Sequence, residues 1–451
     1  GKVSELMASK NKNLAELLDA NGDVLLSNLD NVVIPSVGPT EVSDQPNTST
    51  GGFSLPAGTT AQRPGTPDTG ETRYNSDSGS IEFYDGVTWV ATNLIPTIDS
   101  ISGTIYDGLA TDLTLSLTNA TDSIDVLFKE GATTIATVND VSVTSGSATV
   151  TVPAAVYGQT AGDTITIIVN NADGTPSSNS QTKTVSGVPS GGSISNSGSY
   201  RIHYFGTTDN FVVPSGLTLS NVEYIVVAGG GGGGGGYTSA AGDVGGGGGA
   251  GGYRSSVTGE SSGRGSSPES KMTISAGTYQ AVVGAGGLGA AVDGANGGNS
   301  SFNGITSIGG GSGGFSTWRY VNVYGGTGTN YGAYSGGAGG CGGGGASNGI
   351  AGTGTSGQGY DGGGNPSGGL STAGAGGGAG SAGADQVNNS GGGSGVTSSI
   401  SGSSYTYSSG GNAASANSGT NSGDGGGGST ADASNNGNGA DGVVIIRYVL
   451  P

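Results

Sequence analysis

The chain has 451 residues, 100 of them glycine, and 13 Lys and Arg against 32 Asp and Glu, a net charge of −19. That acidity repels phosphate backbones and excludes nucleic-acid binding by counterion release, and a single cysteine, Cys341, excludes an intrachain disulfide scaffold. Residues 1–188 hold 18 of the 100 glycines and residues 189–451 the remaining 82, so the two parts are different materials and several modules are expected.

No apolar run approaches the ~20 residues of a membrane span, and the opening GKVSELMASKNKN lacks the apolar centre of a signal peptide. A soluble chain that is not exported by the usual route and not inserted in a membrane is expected. Gly1 in place of Met reads as processing or trimming, with Met7 as an alternative start. Leu14, Leu17 and Leu18 stand at helical spacing after Asn11 or Asn13 as N-cap, and predict a short amphipathic helix. An Asn-Gly turn ends it, and a short apolar strand follows through Val24, Leu25 and Leu26. Too small to be stable alone, this helix and strand predict docking or oligomerisation for residues 1–52. Asp19, Asn21, Asp23 and Asp30 match positions of a calcium loop. Val24 stands where that loop needs Gly, however, and Asp30 where it needs a bidentate Glu, so no metal is expected.

Residues 53–94 contain TRYNSDSGSIEFYDGVTWV, two strands joined by NSDSG and a YDG turn into a third, a small β-meander. The ordered pattern Leu55 to Pro64 (LPAGTTAQRP), Gly70 to Asp77 (GETRYNSD) and Glu82 to Trp89 (EFYDGVTW) resembles a module of bacteriophage tail fibres and related virion appendages. Residues 95–188 alternate apolar and polar in DLTLSLT, IDVLF, ATVTV and TITIIVNN, with turn signals every 8 to 12 residues. They predict a β-sandwich of about seven strands. It resembles immunoglobulin-like spacer modules in architecture, without the Cys and Trp core of antibody domains.

Residues 189–451 begin and end in strand-like runs, YRIHYFGTTDNFVVP, VEYIVVA and DGVVIIRYVLP, and the pairing of IVVA with GVVIIRY makes the remainder one long excursion from a small β base. Collagen needs Gly at every third residue and abundant proline, and is excluded by Gly229 to Gly236 and by only 14 prolines. A disordered linker is the common fate of such composition. Against it stand the bracketing strands and buriable Val282, Val283, Phe302, Ile305, Ile308 and Leu370. Extended glycine helices of three residues per turn can instead pack side by side, with backbone hydrogen bonds replacing an apolar core. Recurrent runs (GGGGGGGG, GGGGGAGG, GGAGGCGGGG, GAGGGAGSAG) separated by Tyr-, Asn- and Ser-bearing stretches predict rods joined by turns, with Cys341 a small residue admitted to the lattice. The order IVVAGGGGGG, GGYR, VVGAGG, DGVVIIRY resembles the glycine-rich tips of some phage tail fibres and adhesins. The resemblance implies polyglycine-II helices whose connecting loops touch a host receptor. The expected fold is thus mainly β and multidomain: N-terminal helix, meander, immunoglobulin-like sandwich, and polyglycine-II helices on a β base.

Chemistry is sparse. His203 is the only histidine, and Gly310 to Gly314 matches Gly-x-Ser-x-Gly only as chance allows in a glycine-rich chain lacking strand-to-helix context. No enzyme, cofactor or catalytic residue is expected. Trp318, Arg319, Tyr320, Tyr324, Tyr331 and Tyr334, with Tyr405 and Tyr407, stand on a background poor in side chains. They are candidates either for receptor contact or for covering the lattice ends. The resemblance implies an external virion appendage made in the host cytoplasm. It also implies a homotrimer whose N-terminus meets other virion proteins and whose C-terminal tip meets a host glycan or outer-membrane protein. A capsid or surface decoration without a specific receptor is the alternative, and scattered rather than ranked Thr argues against ice binding.

Overall fold

The computed structural model describes residues 55–450 apart from 78–79, 93–94, 173, 237–243, 291–293, 324–325, 366–371, 386–390, 414–421 and 430–435, with backbone only over 317–333. The chain divides into two compact units, one reaching to Asn93 and one beginning at Leu94. The N-terminal segment, with Leu14, Leu17, Leu18, Val24, Leu25, Leu26 and the calcium-like Asp19 to Asp30, lies outside the described residues.

The first unit holds the expected meander, β2 (Thr72–Asn75), β3 (Ser80–Tyr84) and β4 (Trp89–Ala91), and an unexpected parallel strand β1 (Ala57–Gly58) beside β2. Its interior is ionic. Glu82, 1% exposed, accepts hydrogen bonds from Arg63 Nη2 at 2.6 Å and Asn75 Nδ2 at 2.9 Å, with Arg73 Nε at 3.5 Å. Two guanidiniums compensate one buried carboxylate, and the Arg63 bond leads in holding Glu82 below the usual carboxylate range. The motif residues of this module are therefore bound up in its folding. A Cβ on Gly58 would meet the Arg73 guanidinium, so glycine there admits the cation.

Seven strands follow: β5 (Thr97–Ser102), β6 (Asp112–Thr118), β7 (Ser123–Glu130), β8 (Thr133–Thr144), β9 (Ser147–Thr151), β10 (Thr164–Asn171) and β11 (Gln181–Thr184), with a one-turn helix α1 (Ala154–Tyr157). β8 pairs with β7 along its first part and with β9 at its end, so one path, β11-β10-β7-β8-β9-β6-β5, carries all seven. Its two edges meet through Asn179, whose side chain bonds the Ile98 backbone in both directions, so the sheet nearly closes into a barrel. Strict alternation drives this. Leu113, Leu115, Leu117, Ile124, Val126, Phe128, Ile165, Ile167 and Val169 all enter one apolar cluster.

The last module begins with β12 (Ser193–Ser197), β13 (Tyr200–Phe205) and the 19-residue β14 (Asp209–Val227), and ends with β23 (Val443–Tyr448). β23 inserts between β13 and β14, pairing Val226 with Val444 and Val227 with Val443 as the bracketing runs predict. The base is larger than one pair of strands, because β15 (Tyr253–Ser255), β16 (Met272–Val282), β17 (Ser300–Phe302) and β18 (Ile305–Ser307) return to it from within the excursion. The cause is apolar: Ile274, Ala281 and Phe302 are buried there with Phe211 and Leu219. Alternation gives the sheet two buried faces. Tyr224, Val226, Val444, Ile446 and Tyr448 face this core, together with Tyr106 of the preceding near-barrel, while Ile225, Val227, Val443 and Ile445 face a second cluster containing Ala250, Cys341 and Ala379.

Beyond the base stand the glycine rods. Strands continue directly into them: β14 into residues 228–236, residues 244–252 into β15, β16 into 284–290, 294–299 into β17, and 436–442 into β23. The first rod fixes the geometry. N–H groups of Gly229 and Gly232 donate to Gly298 and Ala295, those of Gly230 and Gly233 to Ala440 and Gly437, and those of Gly231 and Gly234 to Gly249 and Gly246. Carbonyls in the same order accept from Gly310 and Gly313, from Gly287 and Ala290, and from Gly426 and Ser429, all within 2.8–3.4 Å. Three residues per turn thus address six neighbouring rods, three antiparallel and three parallel, as a polyglycine-II lattice requires. Cβ atoms at Gly229 to Gly234 would strike backbone carbonyls on every side: Ala285 and Leu288, Asp424 and Gly427, Gly311 and Gly314.

Candidate functional site

The hydrogen-bond register gives the lattice a base end and a far end. Near the base Ala228 donates to Gly252, and at the far end Gly234 pairs with Gly246 while Ser316 N–H donates to Gly235. From that far end rises an antiparallel hairpin, β19 (Ser316–Val323) and β20 (Gly326–Ala333), in unbroken register from Ser316–Ala333 to Val323–Gly326. A loop was expected here. The structure corrects it to a hairpin that brings Trp318 opposite Tyr331, Arg319 opposite Asn330 and Tyr320 opposite Thr329. Tyr324 lies outside the described residues. Phe315 and Tyr334 stack at the foot of the hairpin with ring centroids 4.0 Å apart, so half-exposed Tyr334 anchors it as well as facing solvent.

The second aromatic pair lies elsewhere. β21 (Val396–Ser398) and β22 (Tyr405–Tyr407) form a short hairpin against the side of the base, where the Arg447 guanidinium donates to Ser399 O and Glu260 accepts from Ser399. Tyr407, a candidate for receptor contact or for packing among the aromatic rings, is 3% exposed in the cluster with Tyr253 and Val443, and burial pushes its phenol up to about 12. Only Tyr405, 48% exposed, is presented to solvent there.

Polar residues with chemical potential are engaged structurally. His203 is fully buried, its Nδ1 2.7 Å from Gly191 O and its Nε2 2.9 Å from the Tyr448 hydroxyl, between the rings of Phe205, Phe211 and Tyr448. Burial lowers its pKa to about 4 against the smaller opposing effect of the Gly191 bond, which leaves a neutral imidazole donating to Gly191 and accepting from Tyr448. Cys341 is buried in a rod, its N–H donating to Ala250 O, and desolvation raises its thiol far above the reactive range. Ser312, centre of the Gly-x-Ser-x-Gly match, sits in an extended rod with its N–H donated to Asn296 Oδ1, without the strained elbow that exposes a nucleophile. Among the described residues no group of three or more His, Cys, Asp or Glu could hold a metal ion, and no helix is long and apolar enough to cross a membrane.

One class of residue escaped the sequence reading. Among the described residues, Asn and Asp side chains meet several backbone N–H groups in place of a carbonyl from a neighbouring rod. Asn296 and Asn299 accept from Ser312 and Gly309, Asn438 and Asp441 accept from Gly289 and Gly286, and Asn412 and Asp424 accept from Gly392 and Ser409. Both of the first two pairs are three residues apart, the repeat of the rod. That spacing, N-x-x-N in ANGGN and N-x-x-D in NGNGAD, was the available signal.

Residues 204–449 match a protein-family model described as a glycine-rich domain, more than half of the chain. No curated protein matches the sequence.

Proposed function

The chain belongs to the glycine-rich domain family, and on that premise we propose that it is a structural virion appendage, a tail fibre or similar, that recognises a host surface through the far end of its lattice. The observation that carries this reading is the hairpin Ser316–Ala333 at the far end of the rods, whose strands bear Trp318, Arg319, Tyr320 and Tyr331. Interlocked rods supply rigidity. Aromatic, Arg and Asn residues on a projection they hold in place suit contact with sugar faces and hydroxyls or with a patch of outer-membrane protein.

Attachment and assembly belong to the N-terminal residues. Residues 1–52 dock on further virion proteins, and the protein is a homotrimer placed outside the virion after synthesis in the host cytoplasm. Self-association is favoured by the inverted meander: Arg73, Asn75, Ser80 and Glu82 point inward, while Tyr74, Ile81 and Phe83 on the opposite face are 38–40% exposed.

Replacing residues 317–332 by a two-residue turn keeps the Phe315–Tyr334 stack and removes the projection. Binding of the purified full-length protein to host cells, and adsorption of virions carrying the variant, are expected to fall at least tenfold. Unchanged adsorption with intact virions would instead indicate a decoration fibre with a purely structural role.

A further inference from the structure

Where β23 stops, the base sheet opens a cavity of about 290 Å³ lined by Tyr200, Thr218, Ser220, Asn221, Lys271 and the Val449–Leu450 pair. We propose that it is a second binding site, independent of the hairpin, and that its ligand is a single acidic sugar residue such as a uronic acid.

Charge points to an anion. Buried Glu223 is ion-paired with both Lys271, at 2.9 Å, and Arg447, at 2.7 Å, and also accepts from Thr258 N–H and hydroxyl at 3.1 Å. Two cations share one carboxylate, and among the described residues neither is ion-paired with a second acid, so the cations outnumber the carboxylate they pair with on a chain of −19. Lys271 keeps one third of its side chain exposed, with donors left for a ligand beyond the one spent on Glu223.

The polar lining points to hydroxyl groups. Thr218, Ser220 and Asn221 form no side-chain hydrogen bond to the rest of the described protein, although β14 bulges between Leu219 and Val222 and Asn221 takes a left-handed backbone (φ 55°) at that point. Two hydroxyls and an amide thus meet at one cavity with their bonding capacity uncommitted. Tyr200, steadied by the Arg447 guanidinium 4.7 Å from its ring centroid, and Val449 supply the apolar wall for a sugar ring. At the small end of ligand cavities, the volume suits one ring rather than an oligosaccharide.

Titration of the full-length protein with galacturonic acid, its methyl ester and galactose tests this. The acid is expected to saturate with a Kd of about 1 mM, and the two neutral ligands to bind at least tenfold more weakly. Lys271→Gln should weaken the acid tenfold. Asn221→Gly, which suits the left-handed backbone, should weaken it severalfold without unfolding. Equal binding of acid and ester, no saturation, inorganic phosphate binding as tightly as the acid, or indifference to both substitutions would each overturn the proposal. The hairpin replacement leaves this titration unchanged, so the two sites fail separately.

Discussion

His203 shows how a residue suggestive of catalysis is spent on folding. Its folded pKa of about 4 lies below the ordinary value of 6.5, because burial disfavours the imidazolium and Arg201 adds to that effect. Its contribution is therefore fully present above pH 6.5 and falls as the unfolded chain takes up a proton that the folded base refuses, levelling off below pH 4. The shift corresponds to about 3 kcal/mol. Thermal melts of the wild type should show this decline between pH 6.5 and 4, and His203→Gln, less stable throughout, should flatten it. Glu223 works in a separate window. Burial opposes its ionisation, but Lys271, the Thr258 N–H and Arg447 hold it at about 2, so its contribution is present above pH 4.5 and is lost as pH falls through 2. At the glycines the limiting quantity is space. Gly231→Ala would drive a methyl group into the Gly311 carbonyl, where no side chain can move aside, and should cost at least the upper part of the ~1–3 kcal/mol range for overpacking. Ala285→Ser, at an exposed lattice position, should stay within about 0.5 kcal/mol. Paired denaturant titrations measure the contrast.

Among the elements, the rods are the most exacting where Asn and Asp side chains serve as acceptors. Asn299→Ala removes the acceptor of the Gly309 N–H and leaves a buried donor without a partner, at a cost of about 1–3 kcal/mol, and amide exchange at Gly309 should accelerate while that of Gly231 does not. In the meander, Glu82→Ala leaves the buried Arg73 guanidinium without its carboxylate and takes the partner from the partly exposed Arg63. A loss of about 3–5 kcal/mol is expected for breaking a buried pair, read as early melting of this unit while the second retains its own transition. The elements differ in how plainly the sequence announces them. Strands of the near-barrel such as Asp112–Thr118 declare themselves by period-two burial, and the bracketing runs before Gly229 and after Gly442 declare their pairing by composition. β20 did not, because GTGTNYGA reads as a turn when its glycines are weighed by propensity, and its strand character comes from pairing with Ser316–Val323. β1 has only two residues, too short for any periodicity. Asn296, Asn299 and Asn438 give no signal of their own, because Asn beside Gly ordinarily marks a turn, and their role as acceptors depends on a neighbouring rod distant in sequence. The charged cavity at Lys271 was likewise illegible, since Tyr200, Asn221 and Lys271 converge only through strand order.

For the molecule as a whole, the question is what holds the glycine rods together when their own packing is backbone on backbone. Ordering each residue costs roughly 1–2 kcal/mol of backbone entropy, and each lateral hydrogen bond returns about 0.5–1.5 kcal/mol net, so the lattice by itself is close to balance. The strand-to-rod junctions resolve this. Ile225, Val227, Val443 and Ile445 bury one face of the base against Ala250, Cys341 and Ala379 of the rods, tying the lattice to an apolar cluster that folds with it. Rods and base should consequently unfold as one cooperative body. The proposed function depends on that rigidity, because a projection on a disordered glycine tail would be ordered only at the cost of binding energy. Residue-resolved amide hydrogen exchange of the full-length protein tests the central claim most directly. Amides of Gly229 to Gly234 and Gly245 to Gly252 should be protected to the same degree as those of Val443 to Tyr448. Exchange of these glycines at unstructured-chain rates, beside a protected base, would contradict the lattice and the account built on it.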